Sequence, residues 1–395
     1  MSNESVFNSF PMSGVNPFPM EELNKRVENV RKIMEKKELD ACVITSPENI
    51  YYLTGLDHFG YFAPHILVVP RDHEMRLVIR RMEVVSVEAM LKNAKFVGYL
   101  DHENAADHVV REIKEMGLDK GRLGMEKRTM FAPLENSQKI YSGLDQATWD
   151  DFSDEIDKLR MVKSPFEMEY VRKAAKVSTK MMEAAANTFG VGVRESEIAA
   201  EIYKAMCLAG GDPPGFQPFV RSTPTLGMEH VTWSDRKLEK GDRLFIEMSG
   251  ACKHYHAPMG RIFFLGDMPK GTMEISKVCI DAFNAVIGSL KEGMRAADVY
   301  EEWQKIVDSA GLSHYTRHHC GYMVGIGFPP GWVGGSMVVG LRRYSDLVLK
   351  EGMVFHILSW LVGSGKGDYL VTNASAVGKT RGEVLIDFPM EPMAR

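Results

Sequence analysis

Leu238–Gly266, LEKGDRLFIEMSGACKHYHAPMGRIFFLG, writes out a strand, a tight turn and a second strand. Side chains alternate faces along a strand, so Glu247 shares a face with Phe245 in the run Leu-Phe-Ile-Glu-Met. It is the single inward carboxylate of the hairpin. Where a second acid would answer it across the turn, the chain has His254-Tyr255-His256-Ala257-Pro258.

Working outward, two helices are expected ahead of the hairpin, at about 165–188 and 194–209. The first opens on Ser164-Pro165-Phe166-Glu167, a capping residue, a proline in the first turn and then an acid. After Gly210-Gly211 the chain turns to glycine- and proline-punctuated strands. Two further helices, about 271–291 and 296–309, separate these from a second strand block, Tyr322–Phe328 and Met353–Trp360. This order predicts an α+β domain over 159–395, an antiparallel sheet covered by helix pairs.

Residues 1–158 read as a separate α/β domain. Leu23, Val27, Val30, Ile33 and Met34 have helical spacing over 21–38, and Ala41–Thr45 reads as a buried strand. PENIYYLTGL and HILVVPRDHEMRLVI are expected as a strand, a loop and a hairpin. Helices at Ala105–Met116 and Pro133–Tyr141 flank a strand at Arg122–Glu126.

The chain has 395 residues, enough for two full cores. A net charge of −5 gives no attraction for nucleic acid or an anionic membrane, so neither is expected as a partner. Five scattered cysteines without CxxC spacing read as free thiols in a reducing compartment. Residues 1–20 lack a basic start and an apolar core and do not read as a signal peptide. The longest apolar run, Gly352–Gly363, is too short to span a bilayer. A cytoplasmic protein is expected.

Five separated motifs carry a resemblance: KSPFE at 163–167, EHVTW around His230, KGDRLFIEMSG, GYMVGIGFPP and KEGMVFHI. In this order and spacing they resemble the creatinase, prolidase and methionine aminopeptidase superfamily of pita-bread hydrolases. NIYYLTGL resembles the N-terminal domain of its longer members. The resemblance implies a creatinase-type α/β domain followed by a pita-bread domain, and a homodimer in which the first domain of one subunit closes the pocket of the other.

The family's metallopeptidases bind two metal ions through two aspartates, a histidine and two glutamates. Carried over, these positions hold Glu247, Pro258, Tyr322, Leu358 and Thr372. Proline and leucine offer no side-chain donor, so no metal and no cofactor are expected. Two branches resemble this state, ectoine hydrolase and creatinase, which cleave a C–N bond at an amidine-type carbon without metal. Gly260 and Leu358 stand where creatinase grips its guanidinium with glutamates, which argues against creatine. GGDxP (Gly210–Pro214), HxTW, the KxYHxPxxR turn ending at Arg261, GYxxGhxxPPxW and GMxFH resemble ectoine hydrolases. Three acids of that group are missing, at Gly331, Gly334 and Asn373. The substrate is therefore expected to be ectoine, with a neighbouring cyclic amide or amidine equally admissible.

The resemblance assigns His230 proton transfer, a role that suits a histidine titrating near neutrality; a lone histidine is otherwise more often structural. Glu247 is expected to hold an amidinium nitrogen through charge-assisted hydrogen bonds, against an ion pair with Arg243 or Arg261. Glu126 would attack the ring carbon and form a covalent intermediate; without the resemblance it reads as an exposed strand-end acid. Tyr255, His256, Tyr322, Trp332 and His356 are expected to line the substrate pocket, with core packing the alternative for Tyr322 and Trp332. Arg261 would bind a substrate carboxylate or sit in an ion pair within the hairpin. His318 and His319 read as rim or surface, and Met181-Met182 as helix core. A different C–N hydrolase or lyase, a relative of Xaa-Pro peptidases, or a silent binding protein on the same frame remain open.

Overall fold

The computed structural model describes residues 16–334 and 338–395. Most of residues 1–20, read above as no signal peptide, lies outside them. Backbone contacts divide the chain into two compact units, the first ending at Arg160 and the second beginning at Met161.

In the first unit, α1 (Met20–Lys36) buries Leu23, Val27, Val30 and Met34 of the expected stripe, while Ile33 at its edge is half-buried. A six-stranded sheet follows, built from β1 (Ala41–Ile44), β2 (Ile66–Pro70), β3 (Met75–Arg80), β4 (Ala94–Tyr99), β5 (Arg122–Met125) and β6 (Thr148–Asp151) in the spatial order β4-β3-β2-β1-β5-β6. β1 runs parallel to β5 and antiparallel to β2. The helices are α2 (Pro47–Thr54), α3 (Val84–Met90), α4 (Ala105–Glu115), α5 (Leu134–Gly143) and α6 (Glu155–Arg160).

PENIYYLTGL is a helix, not a strand. Pro47 takes the first turn of α2 behind Ser46, and Gly55 ends it in the left-handed conformation at φ 72°. Every residue of α2 is buried. A helix enclosed on all sides shows no amphipathic period, which is why its apolar run imitates a strand.

In the second unit, α7 (Pro165–Thr188) begins with the expected capping box. The Glu167 amide donates to Ser164 Oγ at 3.2 Å, and the Ser164 amide donates to Glu167 Oε2 at 2.8 Å. α8 (Glu195–Leu208) packs against it. An antiparallel sheet runs β10 (Gly321–Met323), β11 (Val354–Leu361), β12 (Tyr369–Ala376), β9 (Tyr255–Phe264), β8 (Arg243–Cys252) and β7 (Phe219–Ser222). α9 (Thr272–Ser289) and α10 (Ala296–Ser309) complete the unit; α9 lies on β11 and β12. The strand expected over Tyr322–Phe328 stops at Met323, and beyond it only Ile326 bridges back, to Tyr255.

The period of two sorts the β8–β9 hairpin into two faces. Leu244, Ile246, Met248, Met259 and Phe263 share a core with Met181, Met182, Ile198 and Ile202 of α7 and α8. Each such side chain contributes roughly 1.5–3 kcal/mol of burial. Glu247 therefore has to face the other way, beside Gly260.

Candidate functional site

Strand register gathers the site. Glu247 pairs with Gly260, Gly260 with Thr372, Thr372 with Leu358, and Tyr322 with His356. Gly260 leaves room between Glu247 and Thr372: a Cβ there would sit 3.0 Å from Thr372 Oγ1 and 3.4 Å from Glu247 Cβ. Residues more than a hundred positions apart thus share one face of five strands.

A hydrogen-bond chain crosses this face. The Trp332 indole donates to the Tyr322 hydroxyl at 2.9 Å, and that hydroxyl lies 2.9 Å from His356 Nδ1. His356 Nε2 lies 2.7 Å from Thr372 Oγ1 and 3.8 Å from Glu247 Oε1. An indole only donates, so the Tyr322 oxygen accepts from it and its proton is available to His356. Burial, and after it the neighbouring His319, lowers the His356 pKa to about 3, so the ring is neutral near pH 7.

Glu247 stands apart from that chain. Its side chain is 14% exposed and makes no hydrogen bond among the described residues. Burial raises its pKa to about 7, Arg221 and Arg317 draw it down, and Glu229 pushes it up. The expected alternatives of an ion pair with Arg243 or Arg261 are not made: Arg243 bonds Asp368, and Arg261 bonds backbone. A largely buried carboxylate with no hydrogen bond among the described residues keeps its acceptor capacity open.

His230 is exposed and has a left-handed backbone at φ 56°. Its ring lies 6.4 Å from Phe216 and 6.2 Å from Phe219. Both phenylalanines pack edge-on to Trp332, and Phe219 is the register partner of Glu247. His230 therefore stands at the aromatic cluster whose Phe219 pairs with Glu247.

The structure gives other expected site residues different tasks. Tyr255 is fully buried, and its hydroxyl donates to Glu167 Oε1 at 2.7 Å, so it ties the hairpin to α7. His256 accepts from the Gly215 amide at 2.8 Å on Nε2 and places Nδ1 2.8 Å from the His254 carbonyl, which leaves neither nitrogen for a ligand. Burial lowers its pKa to about 4. Arg261 donates to the carbonyls of Pro389, Gly260, Thr372 and Phe388. One residue past Gly260, it points to the opposite side of the strand, where it anchors the C-terminal segment.

Glu126 is 4% exposed, not a strand-end surface acid. Oε2 accepts from the Thr45 and Ser46 amides, each at 2.8 Å. Oε1 accepts from Ser46 Oγ at 2.9 Å and Asn49 Nδ2 at 2.6 Å. It closes the N-terminus of α2, where a carboxylate is favoured. His319 is buried, with its pKa lowered to about 3 mainly by burial, whereas His318 is exposed. The sequence reading missed Phe216, Phe219, Arg221 and Arg317. The one available signal was a charge inside the apolar run Phe219-Val220-Arg221.

The five positions that hold metal in the family's peptidases do converge here, but their chemistry does not fit a pair of hard dications. One carboxylate remains, two side chains have no donor, and the Tyr322 and Thr372 hydroxyls are engaged with His356. Among the described residues no three His, Cys, Asp or Glu side chains cluster as a metal would need. Nor is any helix among them long and apolar enough to cross a membrane.

Residues 26–162 match the creatinase/prolidase N-terminal domain, and residues 169–374 match metallopeptidase family M24. The chain is 27% identical over 393 residues to an ectoine hydrolase of Halomonas elongata, covering 95% of this chain and 98% of that one. It is 26% identical over 335 residues to an Xaa-Pro dipeptidase of Pyrococcus furiosus, covering 85% and 90%. The crystal structure of a prolidase from Thermococcus sibiricus superposes with a TM-score of 0.84 at 22% identity, covering 94% of this chain and 99% of that one. The fold is therefore the two-domain pita-bread arrangement, and the chain is a hydrolase-type member of metallopeptidase family M24.

Proposed function

We propose that this protein is a metal-independent hydrolase that opens a small cyclic amidine or amide at a C–N bond, with ectoine as the leading substrate. The observation that carries the reading is the lone carboxylate of Glu247 in a socket otherwise formed by Pro258, Tyr322, Leu358 and Thr372. The near full-length similarity to an ectoine hydrolase supports it.

In this reading Glu247 binds an amidinium N–H, and Tyr322, Trp332 and His356 shape the wall against the planar ring. Water adds its oxygen to the amidine carbon, and collapse of the adduct breaks the C–N bond. His230 takes a proton from the water and returns one to the leaving nitrogen, so an N-acyl amine is released. Water is the attacking group because both Glu126 oxygens are held by donors of its own domain. A homodimer in the cytoplasm is part of the proposal. Phe62 and Met130, 80% and 72% exposed, offer apolar surface on the first unit.

A second reading, an Xaa-Pro peptidase, is favoured by the similarity to dipeptidases. One experiment separates them: the purified protein is treated with a chelator and assayed on ectoine and on an Xaa-Pro dipeptide, with and without added Mn2+. Ring opening that survives the chelator supports the proposal. Dipeptide cleavage that returns only with Mn2+ sinks it.

A further inference from the structure

Two buried arginines in the second unit are treated in opposite ways. Arg261 and Arg221 are each 2% exposed. Arg261 has four backbone carbonyls for its guanidinium. Arg221 has no hydrogen bond and no ion pair among the described residues, and its Nε is enclosed without an acceptor. Its guanidinium carbon lies 4.2 Å over the Phe245 ring, a cation–π contact that holds the group but leaves its in-plane donors unused. Burying a cation without acceptors is costly, and the cost is relieved when a ligand supplies them.

The position of Arg221 says which ligand. It pairs with Phe245 across β7 and β8, so Glu247 is its diagonal neighbour on the same face. Diagonal neighbours of this kind have backbones about 7–8 Å apart, and no hydrogen bond or ion pair joins Arg221 to Glu247 among the described residues. Phe245 packs 5.4 Å from Trp360, and Arg317 lies 4.9 Å over the other aromatic, its Nε also enclosed without an acceptor. Glu247 is thus bordered by a cationic shelf of Arg221, Phe245, Trp360 and Arg317. The exposed Glu229 is a further acid whose charge reaches both Arg221 and Glu247.

We infer that Arg221 seats a carboxylate of the substrate, so that the site takes a small zwitterion, cationic nitrogen on Glu247 and carboxylate on Arg221. The cationic half of this assignment rests on the function proposed above; the anionic half rests on Arg221 itself. A guanidinium can meet a carboxylate with two parallel hydrogen bonds, and its planar fork sets the ligand's orientation. Arg221 is thereby a specificity-determining residue, in the role the sequence alone had suggested for Arg261.

The test is calorimetric binding of three probes to the full chain: a tetrahydropyrimidine amidine bearing a ring carboxylate, the same ring without it, and a cyclic amide carboxylate, 5-oxoproline. The wild type is expected to prefer the first probe to the second by about 10- to 100-fold, the worth of a charged hydrogen-bond pair. Arg221→Gln removes that preference and leaves the affinity for the carboxylate-free ring within a few-fold. Arg221→Lys, which keeps the charge without the fork, retains part of it and covers the case in which the glutamine variant does not fold. Equal weakening of both amidines in either variant, or an unchanged preference, overturns the inference. Binding of 5-oxoproline that depends on Arg221, without binding of either amidine, sinks the amidine reading and keeps the anion seat. If the wild type binds none of the three, both fall.

Discussion

The Tyr322 hydroxyl and His356 Nδ1 meet at 2.9 Å across the β10–β11 pair, and this contact orients the imidazole that stands 3.8 Å from Glu247. Tyr322→Phe deletes the acceptor of Trp332 and the partner of His356 together. Two buried polar groups are left unsatisfied, so the variant is expected to lose about 1–3 kcal/mol of stability in urea unfolding. Substrate affinity should fall with it, since the imidazole is no longer held in one orientation. An unchanged unfolding midpoint would show that the hydroxyl does not hold the wall.

Glu247, with a pKa of about 7, makes binding and stability respond to pH in opposite directions. Affinity for a cationic amidine should rise as pH passes through about 7, because the carboxylate forms there. The native state holds this proton more tightly than the unfolded chain. Its stabilising contribution is therefore complete below the ordinary value of 4.5 and is lost as pH rises through about 7. Glu247→Gln should bind the amidine about 10- to 100-fold more weakly, without this pH step, and should gain in Tm relative to wild type on the alkaline side. Parallel pH profiles for the two proteins would contradict the assignment.

His230→Ala should lower kcat by at least about 100-fold, the usual worth of a positioned acid–base group. The side chain is exposed, so Tm should be unchanged. Turnover within a few-fold of wild type would remove His230 from the mechanism.

Glu126→Gln replaces one acceptor oxygen by an amide group that faces donors. A loss of about 1–3 kcal/mol in stability is expected, with turnover of the folded fraction within a few-fold of wild type. Abolished turnover in a fully folded variant would instead restore the attacking carboxylate suggested by family resemblance.

Local signals carried the fold a long way. Ser164-Pro165-Phe166-Glu167 gave the start of α7 because a capping box is complete within four residues. Ser46-Pro47-Glu48 carries the same start signal for α2, but the tyrosines and isoleucine behind it favour a strand, and tertiary burial decided the outcome. The site was legible only in part. Glu247 and its face followed from the period of two, and that period also sets Arg261 on the other side of the strand from Gly260. His256 could not be read, because its partners are backbone groups of Gly215 and His254. Arg221 could not be placed either: its relation to Glu247 depends on how β7 pairs with β8, which local propensity does not encode.

His256 pins the Gly215 amide, and a methyl group at position 215 would fall 2.0 Å from the Gly331 carbonyl oxygen. The loop that carries Phe216 and the loop that carries Trp332 are thereby clamped to one another with no slack. The edge-on Phe216–Trp332 pair they carry is held at one spacing, and any side chain at position 215 would have to force the two loops apart.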